Sequence, residues 1–350
     1  MDEKKKIKIL DLFSGCGGLS YGFELVGFKV IAGIDNWSDA LQTFKLNHSN
    51  ATILNIDLGN VSPVEIKKKV GKIDVIVGGP PCQGFSISGH RNLNDPRNKL
   101  YKGFVELVKT FKPRVFVLEN VPNLVSIGGG KIKDEIIKDF ENIGYKVKYK
   151  ILLASDYGVP QNRKRVIFVG VKDKSDFNFP EPSTPNINDK ITTYQAISDL
   201  PDNDLEDGVI LKNKTLSSYQ EDMRTEKYEI FNHKLTSHSK KTTDIISLVP
   251  DGGNYKDLPN EHKNTRRVNI AWTRFNSKKP SSTIDTGHRH HFHYKYNRVP
   301  TVRECARLQS FPDSFIFLGS KTSQYKQVGN AVPPLLARAI AESVLKVFNK

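Results

Sequence analysis

Through the first half of the chain, short apolar runs alternate with stretches whose apolar residues recur every three or four positions. Residues 7–12 (Ile-Lys-Ile-Leu-Asp-Leu) and 30–35 (Val-Ile-Ala-Gly-Ile-Asp) are brief and rich in branched side chains, and read as strands. Residues 51–56, 73–77, 115–119, 145–152 and 166–171 have the same character. Between them, Leu19/Phe23/Val26, Leu41/Phe44, Phe104/Leu107/Val108/Phe111 and Ile132/Ile136/Ile137/Phe140 recur at helical spacing. Ser38 is placed to cap the second of these helices, and Gly27 to stop the first. Strand–helix alternation of this kind predicts an α/β fold, an open sheet with helices on both faces. The rhythm fails after Val171. Residues 172–267 are polar and rich in Asp, Asn, Ser, Thr and Pro, yet retain Tyr194, Ile197, Leu200, Tyr219, Ile230, Phe231 and Ile245. That mixture predicts a small irregular domain. Helical spacing returns over 302–308 and 334–348.

A chain of 350 residues makes one large domain or two ordinary ones. No apolar stretch approaches the ~20 residues needed to cross a bilayer. Residues 1–6 are charged and lack the apolar segment of a secretory signal, so a cytoplasmic protein is expected. The net charge of +15 favours a polyanionic partner, nucleic acid or an anionic surface, although solubility alone would also account for it. The three cysteines, Cys16, Cys82 and Cys305, are odd in number and far apart. They argue against a disulfide framework or a cysteine-rich zinc site, and for a reducing compartment.

Two segments carry the chemistry. Residues 11–20 (Asp-Leu-Phe-Ser-Gly-Cys-Gly-Gly-Leu-Ser) form a strand end, a glycine-rich turn and a helix start. Bare backbone there can accept a ligand at a helix N-terminus. Asp35 ends the next strand 20 residues after Gly15, where a carboxylate can grip ribose hydroxyls, and Asp57 follows the third strand, within reach of an adenine amino group. Ser20 replaces the third glycine of the dinucleotide pattern, so an adenosine compound without phosphates, S-adenosyl-L-methionine first among them, fits better than a dinucleotide. A plain tight turn would read the same way. Residues 78–86 (Gly-Gly-Pro-Pro-Cys-Gln-Gly-Phe-Ser) hold Cys82 at the mouth of a buried strand. Glycines permit a close approach, prolines stiffen the path, and a thiolate is a strong nucleophile for a soft electrophilic carbon. Glu119 ends another apolar strand at the ligand-binding edge, where a carboxyl can serve as an acid. Gln161, Arg163 and Arg165 alternate on an extended segment and can converge on one site. The polar stretch from Gln83 to Leu100 has the composition of a flap beside the nucleophile. The run His288-Arg289-His290-His291-Phe292-His293 lacks a carboxylate or cysteine at ligand spacing and reads as a polar loop near phosphate, not a metal site.

Taken in order, these segments resemble the DNA cytosine C5-methyltransferase family of the bacterial and archaeal modification type. The matching motifs lie at 11–20, 78–86, 119–121, 161–165, 301–312 and 327–333. The resemblance implies a Rossmann-like, S-adenosylmethionine-dependent methyltransferase sheet with a second, smaller target-recognition domain. The boundaries it suggests are 1–171 for the catalytic and cofactor domain, 172–285 for target recognition, and 286–350 for a segment that returns to complete the first. It implies that Cys82 attacks C6 of cytosine, that Glu119 hydrogen-bonds or protonates N3, and that Arg163 and Arg165 support the cytosine and the thiolate. Phe13, Ser14, Gly15, Gly17, Gly18, Leu19, Asp35, Asn36, Asp57, Pro80, Leu100, Asn330 and Val332 would line the S-adenosylmethionine pocket. Gln83, Ser86 and Arg97 would meet double-stranded DNA. No metal is implied. A monomer that acts apart from any cognate restriction endonuclease is expected. Asp35 stands where the family often has Glu, and Trp37 lies one position beyond the usual tryptophan. Two alternatives are a tRNA cytosine C5-methyltransferase and a non-catalytic DNA-binding regulator. Gln83-Gly84-Phe85-Ser86 favours DNA over tRNA, and retention of Cys82, Glu119 and both arginines weighs against the regulator.

Overall fold

In the computed structural model, residues 6–81, 99–172, 175–224, 229–263, 272–287 and 290–349 are described. Each of the seven apolar runs is a strand of one sheet: β1 (Lys8–Leu12), β2 (Lys29–Asp35), β3 (Thr52–Asn55), β4 (Val75–Gly78), β5 (Val115–Asn120), β6 (Lys146–Leu153) and β7 (Lys164–Val171). Their order is β3-β2-β1-β4-β5-β7-β6. The first five are parallel, whereas β7 runs antiparallel to both β5 and β6. Helices α1 (Gly18–Glu24), α2 (Ser38–Asn47), α3 (Pro63–Val70), α4 (Lys99–Phe111) and α5 (Lys131–Glu141) make the crossovers.

Alternate side chains of the strands serve opposite faces. Leu10, Leu12, Ile34, Ile76 and Phe116 share a core with Ile66 of α3, Phe104 and Leu107 of α4, and Phe140 of α5. Phe116 and Phe140 stack with centroids 3.9 Å apart. The intervening residues Ile9, Asp11, Val75, Val77, Val115 and Val117 are buried as well. A sheet covered on both faces explains why these strands read as continuous apolar runs instead of alternating ones. The chain winds away from β1 toward β2 on one side and toward β4 on the other. The carboxyl ends of β1 and β4 therefore meet at the switch point where open α/β sheets bind ligands.

The chain divides into two compact units: Met1–Leu153, Lys164–Glu181 and Leu336–Lys350 in the first, Ala154–Arg163 and Pro182–Leu335 in the second. The second holds short helices α6 (Thr193–Ile197), α7 (Ser218–Met223), α8 (Lys240–Ser247) and α9 (Asn260–Lys263), and the ribbons β8 (Val209–Ile210) with β9 (Glu229–Ile230) and β10 (Thr273–Arg274) with β11 (His291–Phe292). Helices α10 (Val302–Leu308) and α11 (Lys321–Asn330) follow, and α12 (Pro334–Phe348) carries the chain back into the first unit. Buried ions organise the second unit. Arg307 binds both oxygens of Asp313 (2.9 and 2.7 Å) and Asp199 (2.7 Å). Arg303 donates to the carbonyls of Phe231, Pro312 and Phe315. Arg298 forks onto Glu304 (2.9 and 2.8 Å). Burial alone would raise the Glu304 carboxyl, but His293 and Arg298 outweigh it and hold the group at about 2. Burial pushes the neighbouring His293 down to about 4.

Candidate active site

At the switch point the chain turns from β1 into α1 within a few residues. Phe13 (φ 58°), Gly15 (φ 52°) and Gly17 (φ 96°) all take left-handed backbone, the conformation that bends a strand directly into a helix. Asp35 at the end of β2 fixes this turn. Its two carboxylate oxygens accept the amides of Gly15 (2.8 Å) and Trp37 (2.9 Å). Ser14 donates its amide to Ile34 O (3.1 Å), while its Oγ is buried and has no hydrogen-bond partner among the described residues. Beneath the turn, Ser20 Oγ donates to Asp11 Oδ2 (2.6 Å), and burial pushes the Asp11 carboxyl up to about 7, with the Asp35 charge adding to the effect. Burial likewise pushes the Cys16 thiol up to about 12, which disfavours its thiolate.

The turn is also gripped from behind. His48, just past α2, lies with Nε2 3.2 Å from Gly17 O and Nδ1 2.6 Å from Glu24 Oε2. A Cβ on Gly17 would fall 2.3 Å from His48 Nε2, so glycine is required there by space as well as by φ. Nothing in local sequence spacing marks His48, which stands 31 residues from the glycine it holds.

The remaining residues expected around a cofactor fall as follows. Gly18 and Leu19 are buried in the first turn of α1, and Asn36 is exposed beyond β2. Asp57 is exposed and accepts from Gly59 N and Asn60 Nδ2, both at 2.9 Å. A Cβ on Gly59 would touch Asp57 Oδ1 (3.3 Å) and Leu100 Cδ2 (3.5 Å), which places those two side chains together. Pro80 is buried, and Asn120 Nδ2 holds its carbonyl at 2.9 Å. Asn330, exposed, ends α11, and Val332 is buried just beyond it, both in the second unit.

Glu119, near the end of β5, pairs with Arg165 of β7, Nε to Oε1 at 2.6 Å, each side chain about one-eighth exposed. The strand register explains the meeting, because Glu119 lies opposite Ile167, two residues from Arg165 on the same pleat. The other oxygen, Oε2, lies over Gly79, where a Cβ would come within 2.7 Å of it. Gly78 is tighter still, since its Cβ would meet Leu12 O at 2.2 Å. The two glycines thus admit β1 on one side and a carboxylate on the other. Cys82, Gln83, Ser86 and Arg97, and most of the flap, lie outside the described residues.

Gln161, Arg163 and Arg165 divide between two tasks. Gln161 Oε1 accepts from Ile284 N (3.1 Å), and Arg163 donates to Ile284 O (3.1 Å) and Gly329 O (2.7 Å). The first two side chains therefore hold Ile284 by its N–H and its C=O, while Arg165 pairs with Glu119. In the histidine run, His288 and Arg289 lie outside the described residues, His290 Nδ1 bonds Asp285 Oδ2, and His293 Nδ1 accepts the amides of Lys295 and Tyr296. Folding thus supplies carboxylates that the local spacing lacks, Asp285 to His290 and Glu304 to His293. Among the described residues no three metal-ligating side chains gather in one place, and no helix is long and apolar enough to cross a membrane.

The family model for C-5 cytosine-specific DNA methylases matches residues 7–346. The chain is 42% identical over 343 residues to the Type II methyltransferase M1.HphI of Haemophilus parahaemolyticus, covering 97% of this chain and 86% of that one. It is 38% identical over 370 residues to M.DdeI of Desulfomicrobium norvegicum, covering 98% and 89%. Among solved structures, a protein described as a DNA modification methyltransferase encoded within an E. coli prophage superposes with a TM-score of 0.81 at 28% identity, over 99% of this chain and 100% of that one. With its Rossmann-like methyltransferase sheet and these matches across nearly its whole length, the chain belongs to the C-5 cytosine-specific DNA methylases.

Proposed function

We propose that this DNA cytosine C5-methyltransferase is the modification enzyme of a type II restriction-modification system, using S-adenosyl-L-methionine and a covalent Cys82–C6 intermediate. The two curated relatives above are Type II methyltransferases, which supports the first part. The residues of the first unit fit the cofactor. Among the described residues the buried Ser14 Oγ has no partner, and nothing lies within 4 Å of where a Cβ on Gly15 would stand, so a ligand's polar group can be met there. Phe13, Ser14, Gly15, Gly17, Gly18 and Leu19 would hold it along the turn, Asp35 and Asn36 at the ribose, and Asp57, Pro80 and Leu100 at the base. When bound, S-adenosylmethionine supplies a methyl group as an electrophile.

One observation carries the catalytic assignment: the Glu119–Arg165 pair lies against Gly79, three residues before Cys82. Cytosine C5 is a poor nucleophile. Addition of the Cys82 thiolate to C6, with a proton or hydrogen bond from Glu119 at N3, breaks aromaticity and makes C5 enamine-like. Arg165 keeps Oε1, leaving Oε2 for the base. Once C5 carries the methyl group, loss of the C5 proton to a base and departure of Cys82 as thiolate would restore the ring, with N3 giving back its proton or hydrogen bond. Arg163, anchored on the carbonyls of Ile284 and Gly329, would with Arg165 support the cytosine and the thiolate. The target atom is inaccessible in a stacked duplex, so the cytosine must leave the helix, which costs a few kcal/mol. Gln83, Ser86 and Arg97 would meet the DNA. Residues 172–285 would read the target sequence, and 286–350 would complete the catalytic domain. The protein would act as a monomer, apart from its endonuclease. The test is transfer from S-adenosylmethionine carrying a labelled methyl group to genomic DNA. Label on cytosine C5, abolished by Cys82→Ser with cofactor affinity retained, is the expected result. Label on adenine N6 or cytosine N4, or preferential labelling of tRNA, would overturn it.

A further inference from the structure

The site occupies the carboxyl edge of the sheet. The opposite edge carries a row of cations, one on each of six adjacent strands. Lys8 and Lys29 begin β1 and β2 and are partners in register. Lys72 precedes β4, where Asp74 N bonds Lys8 O (3.0 Å). Arg114 precedes β5, its amide bonded to Asp74 O (2.9 Å), and Lys172 follows β7, its amide bonded to Arg114 O (3.0 Å). Lys146 begins β6 opposite Val171. At about 4.8 Å between strands, the row is about 24 Å long. Helix ends add to it. Lys68 and Lys69 end α3, Lys112 follows α4, and the Arg114 guanidinium 5.1 Å from the Phe348 ring brings the end of α12, with Lys346, to the same edge.

Among the described residues little opposes this charge. Asp176 is taken by Lys146 and Lys148 (3.3 and 2.8 Å), and Asp74 accepts the amide of Lys8 (2.9 Å). Lys29, Lys68, Lys69, Lys72, Lys112 and Lys172 are exposed and form no ion pair among the described residues. Compensation of helix dipoles accounts for lysines in the last turns of α3 and α12. It does not account for Lys8, Lys29, Lys146 and Lys172, which sit at strand ends.

We propose that this edge binds the phosphate backbone of a second segment of duplex DNA, so that one molecule can hold DNA at both edges of its sheet. Strand phosphates rise about 3.4 Å each, so a row of about 24 Å faces about seven of them. Single-stranded nucleic acid would call for exposed rings on which bases stack. Here Phe28 and Phe111 are buried and Phe348 lies under Arg114. The choice of DNA rests on the family's substrate, and the experiment reads the two sites separately.

The test uses a biotinylated and a fluorescent duplex, each 30-bp long (about 100 Å), with native mass spectrometry to count protomers and duplexes. The full-length protein is compared with a variant carrying Lys→Glu at 29, 68, 69, 72, 112 and 172, and with the milder Lys→Gln set. The wild type is expected to form complexes of one protomer with two duplexes and to carry the fluorescent duplex to streptavidin. The Glu set should lose at least about tenfold of this capture and the Gln set less, with methyl transfer to a single short duplex population kept within about twofold. The salt dependence of capture should become shallower by about 0.9 in log–log slope for each phosphate contact removed. A wild type that never exceeds one duplex per protomer would overturn the proposal. So would reversal variants that capture as well as wild type, or a preference for an RNA hairpin over the duplex. Failure of methyl transfer in every form would strike the catalytic reading instead.

Discussion

Replacing Gly79 with alanine should displace the Glu119 carboxylate while leaving the fold intact. The added Cβ would stand 2.7 Å from Glu119 Oε2, and ordinary contact begins near 3.4 Å, so the carboxylate must retreat by about 0.7 Å. The obstacle is the far end of a side chain, which can yield. A misplacement of about 1 Å in a catalytic group costs about 100-fold. Gly79→Ala should therefore lower the single-turnover methylation rate by about 10- to 100-fold, equivalent to ~1.4–2.7 kcal/mol, with melting temperature and cofactor affinity near wild type. Gly78→Ala is the matched control. Its Cβ would meet the Leu12 carbonyl at 2.2 Å, in the middle of the sheet, where backbone cannot yield cheaply. That variant should lose stability by about 1–3 kcal/mol or more. Rates follow from labelled S-adenosylmethionine and excess DNA, stability from thermal unfolding. A Gly79→Ala enzyme at wild-type rate, or one as unstable as Gly78→Ala, would refute the placement of Glu119.

Further predictions concern the supports of the site. Arg165→Ala and Glu119→Gln should be strongly non-additive in rate, with a coupling of about 1–3 kcal/mol in a double-mutant cycle; additive losses would mean that the 2.6 Å pair does not act as a unit. His48→Ala should weaken S-adenosylhomocysteine binding about tenfold, ~1.4 kcal/mol, by releasing Gly17; unchanged affinity by calorimetry would leave His48 a packing residue only. Burial holds His293 at about 4 against an ordinary value of 6.5, so the unfolded chain takes up this proton first. Its contribution to stability is complete above pH 6.5 and is lost as pH falls toward about 4, and His293→Gln should flatten that part of the unfolding profile. A mutant profile parallel to wild type between those pH values would contradict this.

The sheet was legible because its strands are buried on both faces and its helices present one apolar stripe each. What the pattern could not give was direction: nothing in residues 164–171 reveals that β7 runs antiparallel between β5 and β6. Helix α11, Lys-Thr-Ser-Gln-Tyr-Lys-Gln-Val-Gly-Asn, was invisible because it has almost no apolar face. The second unit was hardest to read because its order comes from buried arginines such as Arg303 and Arg307, whose partners are carbonyls and carboxylates distant in sequence. At the site, motif residues Glu119, Arg163 and Arg165 could be named, but the anchoring of Arg163 on the Ile284 carbonyl and the grip of His48 on the glycine turn depend on contacts that only folding creates.

The covalent step is tested most directly with duplex DNA in which the target cytosine is 5-fluorinated, incubated with enzyme and S-adenosylmethionine and analysed by peptide mass spectrometry. Fluorine cannot leave as the C5 proton does, so the Cys82 peptide should remain bonded to a methylated fluorocytosine and survive denaturation. An enzyme that methylates ordinary cytosine at C5 but yields no such adduct, or yields one on a residue other than Cys82, would contradict the mechanism.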